Sequence, residues 1–214
     1  MKTLEIGANG KIGQHLVRLL AKHPDHTVKA MIRKSEQRPF FEELKAETVV
    51  ASLEGSVEEL QKAMADCDAV VFTAGSGAST GADKTMTVDL DGAAKAVEAA
   101  ELAGIDRFIM VSAIHADDRS QWTKEMTPYY IAKHHADRIL QSSSLAYTIV
   151  RPGLLIDDPG TGQIAAAGKL DPGSIPREDV AAVIVACLES NDLTDKVFEL
   201  TSGDSQIEDA LKNI

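Results

Sequence analysis

The feature that most constrains this chain is a glycine-rich turn near its amino terminus, between a short apolar run and an amphipathic segment. Gly7, Gly10 and Gly13 follow the run at residues 3–6, and apolar residues recur at helical spacing over residues 14–20. Glycine permits a sharp turn, and the amino terminus of a helix presents unpaired N–H groups that attract phosphate. The order of strand, glycine turn and helix therefore predicts a dinucleotide site. A tight β–α turn without a ligand is the alternative interpretation.

A second motif lies far downstream, at Tyr129 and Lys133. Residues four apart share one face of a helix, so the phenol and the ammonium group project side by side. Thr127 and Pro128 are typical of an N-cap followed by proline at the first helical position, which predicts a helix that starts just before Tyr129. Taken alone, the pair would equally fit an exposed helix surface.

Together, the glycine spacing and the Tyr–Lys pair resemble those of the short-chain dehydrogenase/reductase superfamily, in its extended and atypical branches. Asp89 strengthens the resemblance to the atypical subgroup five. The resemblance implies a single NAD(P)-binding domain over residues 1–214. It implies an α/β Rossmann fold, with a doubly wound, mostly parallel sheet, three α/β/α layers and a small C-terminal substrate region. It also implies similarity to putative NAD-dependent epimerase/dehydratase proteins, although extended relatives such as sugar epimerases and dehydratases add a substantial substrate domain. Here only about sixty residues follow Gly153, which leaves little room for a nucleotide-sugar site.

Strands alternate with helices along the chain, which predicts a parallel sheet covered on both faces. We expect strands at residues 3–6, 28–33, 48–51, 69–74, 107–112, 147–150 and 197–201. We expect helices at residues 10–22 and 39–46, after a capping box of Ser56 and Glu59, in the alanine-rich stretch up to Gly104, from Tyr129 onward, and at residues 178–189 and 207–211. Residues 78–84, 117–127 and 157–171 are expected to be irregular and to line the ligand crevice.

Composition excludes several classes of partner. The net charge of −11 at pH 7 disfavours nucleic acid, whose phosphates require a basic surface. No apolar run approaches the length of a membrane span, and the amino terminus enters a strand without the apolar stretch of a signal peptide. The two cysteines, Cys67 and Cys187, lack metal-ligand spacing and favour a reduced compartment. We therefore expect a cytoplasmic protein without a metal site and without a nucleic-acid or membrane partner.

The residue after the second strand bears on which nicotinamide cofactor is bound. In NAD sites an acidic residue about twenty positions after the glycines holds the ribose 2′-hydroxyl. Here Arg33 stands at that place and Lys34 follows it. An arginine pairs well with a 2′-phosphate, so the pattern favours NADP over NAD. A shifted loop that brings Glu36 to the ribose, or a purely solubilising role for Arg33, is the alternative.

The resemblance assigns further residues to the cofactor site. Ser52 and Leu53 stand where similar families often carry an Asp-Leu pair near the adenine, so that contact is expected to be weaker or made by the backbone. The segment after Arg151 is expected to pass under the nicotinamide carboxamide. The complete set of expected cofactor residues is Gly7, Asn9, Gly10, Lys11, Ile12, Gly13, Arg33, Lys34, Ser52, Leu53, Thr73, Ala74, Gly75, Val111, Tyr129, Lys133, Pro152, Gly153, Leu154 and Leu155.

The resemblance also assigns catalytic roles. Tyr129 would exchange a proton with the substrate oxygen, and the nearby ammonium group of Lys133 would favour the phenolate and bind the nicotinamide ribose. Asp89 occupies a position where many relatives have asparagine and subgroup five typically has aspartate.

Ser112 is the first of two positions at which relatives carry hydroxyl residues, and the second is Ala113. Side chains alternate along a strand, so Ser112 either reaches the substrate or points away from it. His115 or His135 is the alternative donor in the second case.

Two functions from different classes fit these observations. The first is an NADP-dependent oxidoreductase that acts on a small carbonyl, alcohol or flavin-like substrate. The second is a non-catalytic regulator that senses the redox state of NADP(H), similar to NmrA-type proteins, which Ala113 and the short C-terminal region favour. A nearly inactive domain that keeps its cofactor for stability is a third. The helical stretches at residues 92–103 and 129–140 could form the face of a homodimer.

Overall fold

A sheet of nine strands forms the centre of the computed structural model, which describes residues 1–77 and 80–214. Eleven strands are present in the described part of the chain, nine in this sheet and two in a separate ribbon. They are β1 (Lys2–Ile6), β2 (Thr27–Ile32), β3 (Glu47–Val50), β4 (Ala69–Phe72), β5 (Arg107–Val111), β6 (Ala146–Pro152), β7 (Leu154–Ile156), β8 (Gln163–Ala167), β9 (Ser174–Pro176), β10 (Lys196–Ser202) and β11 (Ser205–Gln206). The large sheet has the order β11-β8-β10-β6-β5-β4-β1-β2-β3, and β7 pairs with β9 in a separate ribbon.

Helices cover both faces of this sheet. They are α1 (Lys11–Leu20), α2 (Arg38–Glu43), α3 (Val57–Ala63), α4 (Ala82–Lys84), a π-helical segment (Thr85–Leu90), α5 (Asp91–Ala103), α6 (Thr127–Gln141), α7 (Arg177–Glu189) and α8 (Ile207–Leu211). Short 3-10 turns lie at Ser35–Gln37, Arg119–Gln121 and Asn191–Leu193. The pairs from β3 through β10 are parallel, whereas β8 runs antiparallel to β10. The expected three-layer, mostly parallel Rossmann architecture is confirmed.

The core is divided by the sheet into two apolar layers. Alternate side chains of β1 illustrate the division, because Leu4 and Ile6 pack on one side whereas Glu5 faces the other. One layer lies under α3, α5 and α6, and the other lies under α1 and α7. The parallel strands end at a common edge, and the glycine turn, the loop after β4 and the amino terminus of α6 meet there.

Several local predictions are confirmed. Ser56 accepts a hydrogen bond of 3.3 Å from the Glu59 N–H, and the two residues form a capping box at α3. Gly104 ends α5 in the left-handed region at φ +69°. Strand and helix bounds differ from the expected ones by one to three residues at most of the other ends.

Three local predictions are wrong. Thr127 is the first residue of α6 rather than its N-cap, because its hydroxyl donates back to the Thr123 carbonyl over 2.9 Å and Met126 takes the cap position. Residues 157–171 are not all irregular, since they contain β8. Ala78 and Ser79, part of the expected irregular segment 78–84, lie outside the described residues, and Ala82–Lys84 is helical.

The strand β8 is produced by tertiary pairing rather than by local preference. Three of its residues are alanines, which favour strands only weakly. Its antiparallel register with β10 and the close approach of Gly203 hold it in the sheet, because a Cβ atom at Gly203 would lie 2.5 Å from the backbone of Ile164 and Ala165.

Among the described residues, none of the helices combines the length and the apolarity that crossing a bilayer requires.

Candidate active site

The glycine turn joins β1 to α1 and leaves no room for side chains at Gly7 and Gly13. Gly7 has a φ of +117°, and its carbonyl oxygen accepts a hydrogen bond of 2.7 Å from the Gly10 N–H. A Cβ atom on Gly13 would lie 2.4 Å from the same oxygen, so only glycine fits without movement. Within the described residues Gly10 caps α1 without a side-chain hydrogen bond, which leaves the first N–H groups of the helix available to an anion. This cradle fits the diphosphate of a dinucleotide.

Three other expected cofactor residues lie in the same turn. Asn9 and Lys11 are exposed, whereas Ile12 is buried, so Ile12 can meet a ligand only through its backbone. The ammonium group of Lys11 pairs with Asp157, whose second oxygen accepts a hydrogen bond of 2.7 Å from Arg177. These three charged side chains line a cavity of about 400 Å³ beside the turn.

The carboxyl ends of β2 and β3 carry the residues expected at the adenosine end. Arg33 and Lys34 are exposed, and their backbone N–H groups donate to Gln37 Oε1 over 2.9 and 3.1 Å, which fixes the turn that presents them. Ser52 is half-buried after β3. Leu53 is buried, and a Cβ atom on Gly92 would lie 2.9 Å from its Cβ, so its side chain belongs to the core and only its backbone can face a ligand.

The residues after β4 rest on a buried acid. The hydroxyl of Thr73 donates to Glu5, and a Cβ atom on Gly7 would lie 2.6 Å from that hydroxyl oxygen. Burial raises the pKa of Glu5 to about 8, although the hydrogen bond from Thr73 opposes the rise. Glu5 is therefore a neutral carboxylic acid at pH 7. Through its hydrogen bond with Thr73, Glu5 helps to position the backbone of Gly7 and Ala74.

Asp89 lies in the π-helical segment, directly beside the loop after β4. Its side chain is buried, and Oδ2 accepts a hydrogen bond of 3.0 Å from the Ser76 N–H. A Cβ atom on Gly75 would lie 3.1 Å from Oδ1 of the same carboxylate. Asp89 thus anchors the end of the crevice at which Ala74 and Gly75 lie.

Tyr129 and Lys133 share one face of α6, as their spacing predicts. Burial raises the pKa of the Tyr129 phenol, and the charge of Asp89 raises it further. Burial lowers the pKa of Lys133, while Asp89 and Asp137 oppose that change. The ammonium group of Lys133 donates to the Val111 carbonyl over 2.7 Å, and its expected role in favouring the phenolate of Tyr129 stays a prediction.

Asp137 extends this face by one more turn, and sequence reasoning missed it. Only 1% of the residue is exposed, and its Oδ2 accepts a hydrogen bond of 2.9 Å from Arg151 Nε. Burial raises the pKa of Asp137, and the guanidinium of Arg151 and the hydroxyl of Ser112 oppose that rise. The spacing of eight residues from Tyr129 and four from Lys133 is the signal that could have identified it.

Ser112 is buried, with only 4% of the residue exposed. Its hydroxyl is buried near Asp137, and neither Ser112 Oγ nor Asp137 Oδ1 has a hydrogen-bond partner of standard length in the described part of the chain. The alternative donors are also constrained. The His115 N–H donates to the buried Glu199 over 2.9 Å, and His135 is exposed on the outer side of α6.

The strand β6 continues through Arg151 and Pro152, and Gly153 then connects it to β7. A Cβ atom on Gly153 would lie 2.3 Å from the Gly173 carbonyl oxygen, which explains glycine at this crossing. The next residue, Leu154, leaves 72% of its surface exposed, and Leu155 is partly buried. The Leu154 side chain is the most exposed large apolar group among the described residues.

An aromatic cluster covers the loop between β5 and α6. The ring of Trp122 stacks on Tyr130 with a centroid separation of 5.7 Å and an interplanar angle of 8°, and Tyr130 in turn contacts Tyr129 edge to face. The guanidinium carbon of Arg119 lies 5.5 Å from the centroid of the indole ring, and Trp122 Nε1 donates to the His115 carbonyl over 2.9 Å. The loop is thereby fixed next to the phenol of Tyr129.

Comparison with known proteins agrees with this geometry. The profile of a family described as NAD(P)H-binding matches residues 7–191. The Bacillus subtilis protein named uncharacterized sugar epimerase YhfK is 55% identical over the full length of both chains. The solved structure of the oxidoreductase ylbE from Lactococcus lactis has a TM-score of 0.91 at 31% identity and covers 100% of this chain and 96% of that chain.

A more distant solved structure shows the same fold. ChuY of Escherichia coli O157:H7, named as an anaerobillin reductase, has a TM-score of 0.81 at 24% identity, with 96% of this chain and 99% of that chain covered. The profile match over most of the chain, together with the full-length relative, shows that this chain belongs to the NAD(P)H-binding family of Rossmann-fold proteins.

Proposed function

We propose that this protein is an NADP-dependent oxidoreductase that reduces a small conjugated substrate, with Tyr129 as the proton donor. The observation that carries the proposal is the environment of the half-buried Tyr129 side chain. The charge of Asp89 acts on its phenol, its ring contacts Tyr130 edge to face, and Tyr130 stacks on Trp122.

The protonation state of Tyr129 suits reduction. Because burial and Asp89 raise the pKa of the phenol, it holds its proton at neutral pH and can donate it to a substrate atom that gains negative charge. Bound NADPH would supply the hydride. Lys133 and Val111 hold the helix against the sheet, so the phenol keeps its position during proton transfer.

The residues that would hold NADP are those of the glycine turn and the end of β2. The N–H groups at the start of α1 would bind the diphosphate, and Arg33 with Lys34 would pair with the 2′-phosphate. The exposed guanidinium of Arg33 favours the phosphorylated cofactor because an arginine cannot accept a hydrogen bond from a 2′-hydroxyl.

The class of substrate is proposed from the apolar and aromatic side chains that follow β5 and β6 along the chain. The exposed side chain of Leu154 and the rings of Trp122 and Tyr130 favour a flat, apolar molecule over a sugar. The structural neighbour ChuY, named as an anaerobillin reductase, supports the choice of a bilin as one probe. A flavin or a bilin is therefore the probe of choice.

The test measures NADPH oxidation by absorbance with FMN and with biliverdin as electron acceptors. Turnover by the wild-type protein is expected, and Tyr129→Phe should lower it by about a hundredfold or more while NADPH binding is kept. Tyr147→Phe is the matched control, because Tyr147 lies at the amino-terminal end of β6, whereas the glycine turn follows the carboxyl end of β1. Full turnover by Tyr129→Phe would contradict the acid role.

One observation favours a second function, the redox-sensing regulator. The hydroxyl of Ser112 is buried beside Asp137 and Ala113 follows it, so the position at which relatives act on substrate offers no hydroxyl to the crevice. This function predicts different affinities for NADP⁺ and NADPH and no turnover of either probe. Equal affinities together with turnover would exclude it.

A further inference from the structure

Two imidazoles and one carboxylate meet at the edge of the molecule opposite to the glycine turn. His23 and His26 lie between the end of α1 and the start of β2, and Glu189 is the last residue of α7. Nε2 of His23 lies 3.0 Å from Oε1 of Glu189, and Nε2 of His26 lies 4.0 Å from the same oxygen. One ligand atom from each of the three residues lies within 4.8 Å of the other two.

The environment of His26 is that of a metal ligand rather than of a solvated surface group. Its side chain is only 6% exposed, and its Nδ1 has no hydrogen-bond partner in the described part of the chain. Its Nε2 is beyond hydrogen-bond distance of Glu189. A buried imidazole without standard hydrogen bonds is unusual, since buried polar atoms are nearly always paired.

The spacing of the three groups suits a tetrahedral ion. Zinc binds imidazole nitrogen and carboxylate oxygen at about 2.0 to 2.2 Å, which places neighbouring ligands of a tetrahedron roughly 3.3 to 3.5 Å apart. The observed separations of 3.0 and 4.0 Å from Glu189 Oε1 lie on either side of that spacing. We propose that His23, His26 and Glu189 bind a divalent transition-metal ion of the zinc class, with water at the remaining position.

Metal binding by His23 would replace the hydrogen bond that its ring makes with the Asp25 N–H. Nδ1 of His23 accepts a hydrogen bond of 3.2 Å from the Asp25 N–H, so the ring proton of neutral His23 lies on Nε2, opposite Glu189. Ligation through Nε2 moves that proton to Nδ1 and gives up the contact with Asp25. The loop that contains Asp25 and His23 is at the surface, which allows this adjustment.

The ion would connect two helices that share one face of the sheet. The helix α1 carries the glycine turn at its start and leads to His23 after its end, and α7 ends at Glu189. Cysteine spacing predicts no metal site, and this group has no local signal in the sequence because Glu189 is distant from both histidines along the chain. A bound ion would therefore stabilise the native fold without contacting the dinucleotide site.

The experiment titrates the untagged, chelator-treated protein with Zn²⁺ by calorimetry and with Co²⁺ by visible absorption. One ion per chain is expected, with the intense absorption of tetrahedral Co²⁺ and a rise in Tm of roughly 5 to 10 °C at a hundredfold excess of Zn²⁺ over Kd. Glu189→Gln, a change at a half-exposed position, should weaken binding at least about tenfold, the loss expected for a weakened ligand.

His23→Ala and His26→Ala should abolish binding, and His135→Ala, a change of an exposed histidine on α6, should leave it unchanged. If His26→Ala lowers stability without metal, the half-exposed Glu189 and His23 variants still decide the question. Absence of saturable binding, or binding that the His23 and Glu189 variants do not alter, would overturn the proposal. The affinity for NADPH does not enter this test, so its outcome is independent of the proposed function.

Discussion

The ammonium group of Lys133 donates a hydrogen bond of 2.7 Å to the carbonyl oxygen of Val111, the last residue of β5. This bond connects the helix that carries Tyr129 to the end of the sheet. The ammonium group is buried, and the charges of Asp89 and Asp137 favour its protonated form. Lys133 therefore fixes the position of the helix and balances two buried carboxylates.

Replacement of Lys133 by methionine should lower the stability of the protein. The change keeps the length of the side chain but leaves the Val111 carbonyl without its donor, so the free energy of unfolding should fall by about 1–3 kcal/mol. Urea unfolding followed by circular dichroism measures the loss. The same change at the exposed Lys124 should have no effect, and equal losses for the two variants would contradict the structural role.

The buried Glu5 predicts a specific pH dependence of stability. Its pKa is about 8 in the native state against an ordinary value of 4.5, so between these values the unfolded chain loses the proton while the native protein keeps it. Stability should therefore fall as pH rises from 4.5 to 8, by about 1.4 kcal/mol per pH unit from this one group.

Glu5→Gln should remove this slope, because the amide oxygen still accepts the bond from Thr73 but does not titrate. Urea midpoints measured between pH 5 and pH 8 compare the variant with Glu98→Gln, a change of an exposed residue that should retain the slope. A wild-type slope that Glu5→Gln leaves intact would show that other groups cause it.

The pair of Asp137 and Arg151 predicts a large and non-additive loss of stability. Asp137→Ala leaves the buried guanidinium with only its second partner, Asp117, at 2.8 Å. We expect Asp137→Ala to lower the free energy of unfolding by about 3 kcal/mol. The double variant of Asp137→Leu with Arg151→Leu should lose less stability than the sum of the losses of Asp137→Leu alone and Arg151→Leu alone. A double-mutant cycle by denaturant unfolding measures the coupling, and strict additivity would show that the two side chains act independently.

A substitution in the glycine turn should weaken cofactor binding selectively. The Cβ atom of Gly13→Ala would lie 2.4 Å from the Gly7 carbonyl oxygen, so the turn and the first N–H groups of α1 must move. NADPH affinity should fall at least about tenfold, which corresponds to 1.4 kcal/mol. Gly168→Ala is the control, because a Cβ atom there meets nothing within 4 Å. Unchanged binding by Gly13→Ala would place the cofactor elsewhere.

Local signals in the sequence predict much of this fold and fail where distant contacts decide. The glycine turn, the capping box of Ser56 and the stop at Gly104 depend on near neighbours, and all three are present in the structure. The strand β8 depends on pairing with β10, and the π-helical segment around Asp89 depends on packing against α6, so neither has a local signal.

The candidate site shows the same division. The spacing of Tyr129 and Lys133 places them on one helix face, but it does not reveal that the Lys133 ammonium group donates to the Val111 carbonyl. Likewise, the position of Ser112 after β5 is predictable, whereas its orientation toward Asp137 depends on how closely α6 packs on the sheet. The contacts that set the electrostatic roles of Lys133 and Ser112 are therefore visible only in the folded structure.

The proposed cofactor site requires that the glycine turn and Arg33 together bind a phosphorylated dinucleotide beside Tyr129. This requirement is measured by an equilibrium titration with NADPH and with NADH, followed by the fluorescence of Trp122, the single tryptophan of the chain. We predict saturable binding with a Kd for NADPH at least about tenfold below that for NADH, a difference that Arg33→Gln removes and Tyr129→Phe preserves. Failure of the wild-type protein to bind NADPH, or equal affinities that Arg33→Gln does not alter, would contradict the claim.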